Sequence, residues 1–539
     1  MMNTPLTLVS LVERAERYFP KKEIISRTLG GIQRFTYKEM GARTRSLASA
    51  LESLGVKKGD RVGTFAWNHH RHLEAYFAIP SMGAVLHTIN IRLSAEHVSY
   101  IINHAEDKVL LVDSDLLPMF EKMKGQLKTV EAIIVMTDED VLPESGLTPL
   151  YSYETLITEA DETYAFSGDT AEEDPAGLCY TSGTTGKPKG VLYSHRGLVL
   201  HSIALSLADT AAVSESDVCM PVVPMFHVNA WGVPFAATWM GSTQVLPGPM
   251  PTPEVLAHLI ESKQVTVTAG VPTIWLGLLN ELEKKDYNTS SLQRVICGGA
   301  AAPKGMIRMF ETKYEIPFIH AYGMTETTPL VILSRLKSHQ KDLPEEEKLE
   351  LRSKQGVVVP GIDIKVINEN GEVKPDGKDM GELLIRGPWI ADEYYKDDRS
   401  SEAFRDGWLY TGDVVTVDEE GFVKIVDRTK DLVKSGGEWI SSVDLENALM
   451  AHEAVFEAAV VSVPHPKWQE RPVACVVLKD GYQNVVSKND IIKYLEPQFA
   501  KWWLPDEVLF MEEIPKTSVG KFMKKALRDQ VKDYMSLQS

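Results

Sequence analysis

The densest chemistry in this 539-residue chain is the run Tyr180-Thr181-Ser182-Gly183-Thr184-Thr185-Gly186-Lys187-Pro188-Lys189-Gly190. Its glycines let backbone N–H groups face an anion, and Thr181, Ser182, Thr184 and Thr185 add hydroxyl donors. Lys187 and Lys189 add positive charge. These are the means of cradling phosphate oxygens. The run is not a Walker loop, which has four residues between its glycines and Ser or Thr after its lysine. Here only Thr184 and Thr185 separate Gly183 from Gly186, and Pro188 follows Lys187. A second cluster, Asn68-His69-His70-Arg71-His72, has metal-binding residue types. Adjacent histidines leave a helix in different directions, and no carboxylate or cysteine completes a ligand set. A structural role is expected there.

Short β-branched runs such as Asp60 to Phe65, Val109 to Val112, Ala132 to Val135 and Val265 to Ala269 alternate with longer helical patterns. The alternation predicts parallel sheets with crossover helices. From about Gly356 the texture changes to short strands, Val357–Val359, Ile362–Ile367, Gly381–Arg386 and Gly421–Val426, separated by turn signals, which predicts a small barrel-like β unit. After Asp431 mixed α/β returns, with strands near Ala458–Val463 and Val473–Leu478. Leu8, Leu11, Val12, Ala15 and Phe19 recur at helical spacing and predict an amphipathic first helix, not a signal peptide. Lys337 to Lys354, rich in Lys and Glu, reads as a solvated helix.

Hydrophobic residues are 44% and charged residues 24%, which excludes a largely disordered chain. The formal charge of −18 gives no general attraction for nucleic acid or anionic lipid, so a polyanionic ligand needs a local site. No apolar stretch is long enough to span a membrane, and contact with one would be peripheral at most. Cys179, Cys219, Cys297 and Cys475 are scattered, imply no disulfide framework and suit a reducing cytoplasm.

The glycine-rich run resembles the phosphate signature of the adenylate-forming superfamily, which includes acyl-CoA synthetases, luciferases and peptide-synthetase adenylation domains. Four more motifs follow in that family's order: Tyr322-Gly323-Met324-Thr325-Glu326, Tyr410-Thr411-Gly412-Asp413, Asp427-Arg428-Thr429-Lys430 and Pro515-Lys516-Thr517-Ser518-Val519-Gly520-Lys521. The resemblance spans nearly the whole chain. It implies an α/β fold: a large N-terminal adenylation domain, 1–429, of two mixed or parallel α/β subdomains plus a small β-barrel-like part at about 356–427. A small mobile α+β domain, 430–539, follows.

It also implies roles. Lys521 supplies charge where a carboxylate attacks the α-phosphorus of ATP. Glu326 and Thr184 are the expected Mg²⁺ ligands. Thr181, Ser182, Gly183, Thr184, Thr185, Gly186 and Lys187 hold phosphates. Tyr322 stacks adenine in space left by Ala300, Ala301 and Ala321, beside Gly323 and Thr325, with His320 reaching the base edge. Asp413 accepts ribose hydroxyls, Arg428 adds a donor, and Lys430 is the hinge. Rotation about that hinge exchanges Lys521 for Ser435-Gly436-Gly437, whose glycines admit the pantetheine arm of CoA, with Lys434 flanking them as a nucleotide or phosphate contact. Trp439 there is either packing or site lining.

His227, Val228, Asn229 and Trp231, with Gly299, are expected at the acid. The segment Phe226 to Gly232 holds no Asp or Glu to pair with an ammonium, so the acid is expected to have an uncharged tail. The resemblance runs most closely to bacterial medium- and long-chain fatty acid–CoA ligases, in which a tryptophan at the Trp231 position gates an acyl tunnel; a core role for Trp231 competes. The expected ligands are ATP, Mg²⁺, CoA and a fatty acid, and a homodimer is possible. Alternatives are a short or sulfur-containing acid, transfer to a carrier protein, and a non-catalytic acyl or nucleotide sensor.

Overall fold

The computed structural model of the chain describes residues 1–166, 168–181, 187–436, 438–483, 485–517 and 520–538, and of 438 and 533–538 the backbone alone. Their strands form four sheets. In the first, Leu150–Ser152, Ala132–Met136, Asp107–Asp113, Arg61–Phe65, Val85–Thr88 and Pro175–Tyr180 run parallel, and Gly190–Ser194 closes the edge antiparallel to Pro175–Tyr180. The interior strands are nearly continuous apolar runs because both faces are covered. Leu110 and Val112 face one core cluster, and Val109 and Leu111 the other.

The second sheet has the order Val357–Val358, Leu330–Leu333, Phe318–Gly323, Arg294–Cys297, Val267–Gly270, Val218–Pro221, Thr243–Leu246, Glu23–Thr28, Gly31–Thr36. It is parallel except at its ends. The third is a curled antiparallel sheet built on Asp363–Asn368, Gly381–Arg386, Trp408–Val417 and Val423–Arg428. The fourth, in the C-terminal part, pairs Val455–His465 with Gln469–Leu478 and adds Glu507–Phe510 in parallel; helices Ser442–Met450 and Lys524–Gln538 lie against Val455–His465.

Two expectations need correction. Val357–Val358 does not belong to the barrel-like unit; it pairs with Ile332 and Leu333 at the edge of the second sheet. Strand texture cannot say which sheet owns a two-residue strand; the apolar partner decides. Within Lys337 to Lys354 only Glu345–Ser353 is α-helical, because Pro344 blocks continuation from the preceding turn, and it buries Leu349.

The first helix is Val9–Tyr18, with Leu11, Val12 and Ala15 buried. The histidines of 69–72 are buried and hydrogen-bonded within the core: His69 Nε2 to Asp113 at 2.7 Å, His70 Nδ1 to Ser26 at 3.0 Å, His72 Nε2 to Thr64 at 3.0 Å. Among the described residues no helix is long and apolar enough to cross a membrane.

Candidate active site

A cleft of about 770 Å³ opens at the carboxyl ends of Val267–Gly270, Arg294–Cys297 and Phe318–Gly323. Open α/β sheets bind ligands at this end because backbone N–H groups and loops converge there. The strand ends contribute Ala269, Ile296, Gly298, Gly299, Ala321, Tyr322 and Gly323. The curled sheet supplies Tyr410, Thr411, Gly412 and Arg428, and the C-terminal loop supplies Thr517, Lys521 and Phe522.

Lys521 is held by a local turn. Thr517 N–H donates to its carbonyl at 2.7 Å, and its own N–H donates to the Thr517 hydroxyl at 3.1 Å. Gly520 has φ +83° and leaves no space for a side chain: a Cβ there would stand 2.9 Å from the Thr273 hydroxyl. The lysine stem passes Gly299, where a Cβ would lie 3.3 Å from Lys521 Cε. Burial lowers the Lys521 ammonium to about 8; nearby Arg428 pushes the same way, while Asp413 and Glu326 oppose. Beside it, burial, with help from Lys521 and Arg92, pushes His227 down to about 3, so its imidazole is neutral at pH 7.

On the nucleotide side, Asp413 and Arg428 are directly opposed across neighbouring strands, which places Arg428 Nε 3.0 Å from the carboxylate. The Tyr322 hydroxyl donates to the same carboxylate at 2.6 Å. Asp413 holds the Arg428 guanidinium above its usual range. A buried aromatic face, a carboxylate and a guanidinium thus share one wall.

Glu326 sits on the turn Thr325–Thr327 and accepts from the Tyr394 hydroxyl at 2.7 Å. Lys189 Nζ lies 3.8 Å from the centre of the Tyr394 ring. Burial lowers the Lys189 ammonium, against the pull of Glu326. A carboxylate lining the cleft, oriented by a hydroxyl donor, is a hard oxygen ligand that fits Mg²⁺.

The acid-side segment has a backbone that the sequence does not announce. Val228, Asn229, Ala230 and Trp231 all have positive φ, from 45° to 57°, before Gly232 at 74°. Left-handed backbone costs a non-glycine residue roughly 1–2 kcal/mol. Such strain persists only when neighbours over-determine it. Here Ala230 N–H donates to the His227 carbonyl at 3.1 Å and Gly232 N–H to that of Asn229 at 2.9 Å. The Cys179 thiol donates to the Asn229 side chain at 3.4 Å. The Trp231 ring fits against glycine: a Cβ at Gly298 would lie 3.2 Å from it. Trp231, Val233, Leu205, Ala211, Leu330 and Leu333 form an apolar wall of the cleft.

The structure therefore gathers Thr181, Lys187, His227, Val228, Trp231, Gly299, Ala321, Tyr322, Gly323, Thr325, Glu326, Arg428, Lys430 and Lys521 around one cleft, with Asp413 behind Tyr322 and Arg428. Ser182, Gly183, Thr184, Thr185, Gly186 and Gly437 lie outside the described residues. Asn229 is buried against Cys179 and does not line the cleft; it secures the turn.

Ala300 and Ala301 are not lining residues either. His320 is buried behind the strand end, with Nδ1 3.1 Å from the Ser353 carbonyl and Nε2 3.4 Å from that of Ala300. His320 and Tyr322, two positions apart, share a face of the strand, but His320 lies farther from the strand's carboxyl end, where the Ser353 and Ala300 carbonyls meet its ring in place of the cleft. Lys434, Ser435, Gly436 and Trp439 lie at the edge hairpin of the C-terminal sheet and do not line the cleft. Lys434 N–H donates to Glu470, Ser435 Oγ accepts from Arg471, and Gly436 N–H donates to the Trp468 carbonyl.

Sequence reasoning missed Tyr394, Arg399, Arg405 and Tyr410. Arg399 donates to the Lys187 carbonyl at 3.3 Å, and the Arg405 guanidinium stacks 3.8 Å from the Tyr410 ring centre. Tyr410 opens a motif that the sequence does display; Tyr394 and Arg399 carry no local signal beyond an aromatic pair before charged residues.

Comparison with known proteins agrees with this geometry. The family model described as AMP-binding enzyme matches residues 12–395, and that for the AMP-binding enzyme C-terminal domain matches 444–521. A long-chain-fatty-acid–CoA ligase of Thermus thermophilus is 51% identical over 538 residues, covering 99% of this chain and 97% of that protein. A 3-methylmercaptopropionyl-CoA ligase of Ruegeria lacuscaerulensis is 44% identical over 99% of both chains. The crystal structure of an anthranilate CoA ligase in complex with anthranoyl-AMP superposes with a TM-score of 0.87 at 25% identity, over 98% of each chain.

Proposed function

The chain belongs to the AMP-binding enzyme family and is an AMP-forming acid–CoA ligase, and we propose that its acid is a medium- or long-chain fatty acid, activated as the acyl-adenylate and then passed to the CoA thiol. The observation that carries the choice of acid is the apolar wall from Leu205 to Leu333 beside Trp231, which holds no charged residue. Each methylene buried there contributes roughly 0.8 kcal/mol. The 51% identity to a long-chain ligase supports the same reading; the 44% identity to a 3-methylmercaptopropionyl-CoA ligase favours a short sulfur-containing acid as the second.

In the first half-reaction a carboxylate oxygen attacks the α-phosphorus of ATP and pyrophosphate leaves. Lys521 offsets the charge that gathers there, and Arg428 and Asp413 orient the ribose. Mg²⁺ held by Glu326, with Thr184, would supply further charge against the phosphate oxygens. Neutral His227 can orient the acid without neutralising its carboxylate. Rotation of 430–539 about Lys430 then brings Lys434 to Gly437 to the cleft for the thiol step. The four cysteines among the described residues are all free and buried, which suits a cytoplasmic enzyme. A homodimer remains a proposal, to be checked by sedimentation.

The test is CoA-dependent AMP release across straight-chain acids from acetate to stearate, with 3-methylmercaptopropionate in the panel. The proposal expects kcat/KM to climb with chain length through the medium acids. A maximum on 3-methylmercaptopropionate or on acetate would contradict it.

A further inference from the structure

Outside the groups assigned to ATP, one helix touches both stems of the glycine-rich loop. We propose that His104, together with Tyr100 one turn before it on helix Ala95–Ala105, is a positioning residue for nucleotide binding.

The N-terminal stem ends at Tyr180, the last residue of strand Pro175–Tyr180. Its hydroxyl lies 2.7 Å from His104 Nδ1. The other ring nitrogen, Nε2, lies 3.4 Å from the Lys396 carbonyl. A carbonyl can only accept, so one neutral tautomer satisfies both contacts: Nε2–H donates to Lys396, and Nδ1 accepts from Tyr180. Burial raises the Tyr180 phenol far above its usual range, so it stays an O–H donor.

The C-terminal stem is reached from the same helix face. Tyr100 stands beneath Lys187, whose Nζ lies 4.9 Å from the ring centre. Gly190 is pressed against the cluster: a Cβ there would lie 3.1 Å from Tyr180 Cζ and 3.2 Å from Tyr395 Cβ. Tyr395 N–H donates to the Gly190 carbonyl at 2.8 Å, and its ring meets His104 edge to face at 5.8 Å. Both stems, at 180–181 and 187–190, and the distant segment 394–399 thus pack around the cluster of Tyr100, His104, Tyr180 and Tyr395. The third carries Tyr394, bonded to Glu326, and Arg399, bonded to the Lys187 carbonyl.

His104 touches none of the groups assigned to the reaction, so its effect is through geometry: it sets where the two ends of the loop start. A protonated histidine in the last turn of a helix would instead interact favourably with the helix dipole. That role alone would be indifferent to the Tyr180 hydroxyl, and the test separates the two.

The proposal rests on reading 181–190 as the phosphate loop. The experiment is ATP–pyrophosphate exchange by the full chain, with KM determined separately for ATP and acid. His104→Ala is expected to raise KM for ATP about tenfold, equivalent to ~1.4 kcal/mol. KM for the acid and the conversion of supplied acyl-adenylate to thioester should stay within about twofold. Tyr180→Phe keeps the ring packing and should give the same rise, with the double variant no worse than either single one. His104→Asn, whose Oδ1 can accept in place of Nδ1, should recover most of the loss. Unchanged KM for ATP in His104→Ala and Tyr180→Phe, or rises that add in the double variant, overturns the proposal. The underlying reading fails separately if Thr181→Ala and Lys189→Ala leave KM for ATP at the wild-type value.

Discussion

Two short segments of the C-terminal part, both with glycines, sit in opposite circumstances. Thr517, Gly520 and Lys521 line or approach the cleft, with Lys521 beside Gly299 and among the neighbours Arg428, Asp413 and Glu326. The hairpin of Val433–Ser435 and Glu438–Ile440 stays outside, bonded to Trp468, Glu470 and Arg471, with Trp439 40% exposed. The orientation is fixed by bonds across the expected hinge. Ser441 Oγ donates to the Val426 carbonyl at 2.6 Å, Ser442 N–H to Asp427 at 2.8 Å, and Lys424 pairs with Asp444 at 2.8 Å. A single arrangement presents one of the two segments. The difference supports the proposal that the two motifs serve different steps and that this geometry is suited to adenylation.

The comparison can be broken from either side. The largest expected effect is that of Lys521→Ala on acyl-adenylate formation, a fall on the order of 10²–10³, as for loss of one preorganised charge-stabilising group. Conversion of supplied acyl-adenylate to acyl-CoA should be largely spared; single-turnover assays of each half-reaction read both. The reciprocal variant, Gly437→Leu, should leave pyrophosphate exchange intact while CoA consumption falls about tenfold, a barrier rise of ~1.4 kcal/mol. Exchange lost with the fold intact by circular dichroism would assign that loop to adenylation.

A third effect is the pH profile. An ammonium lowered to about 8 loses its proton as pH rises through that value. Adenylation kcat/KM for ATP should therefore decline above about pH 8, and Lys521→Ala should lack this limb. The smallest effect is on stability. Ala230 pays for its left-handed backbone at φ 49°, and Ala230→Gly should relieve about 1 kcal/mol of it, seen as a small rise in Tm. An unchanged or lower Tm would mean that the turn is not strained at that residue.

The sheets were legible because parallel strands buried on both faces read as apolar runs, as Val109 to Val112 and Ala132 to Val135 do. The glycine-rich stretch 181–190, the proposed phosphate loop, stands out in the sequence because its residue types are concentrated in one run. What stayed hidden depends on contacts between distant residues. Tyr394 meets Glu326 across 68 positions, and His104 meets Tyr180 across 76. Neither tyrosine nor histidine is informative without its partner. The left-handed run at 228–231 was hidden for the opposite reason: backbone of that kind is normally signalled by glycine, and here only Gly232 ends it. His320 does not line the cleft because sharing a strand face with Tyr322 says nothing of how far from the strand end a ring sits, and the Ser353 and Ala300 carbonyls meet it there.

The claim that each half-reaction needs its own orientation of the C-terminal part is tested most directly by locking the present one. Lys424 and Asp444 face each other across the hinge, and the natural cysteines are buried, so a Lys424→Cys/Asp444→Cys variant can be joined by a short thiol-specific crosslinker. The crosslinked protein should retain ATP–pyrophosphate exchange near the rate of the unlinked variant and lose acyl-CoA formation from supplied acyl-adenylate. Acyl-CoA formation at the unlinked rate by the fully crosslinked protein would contradict the account.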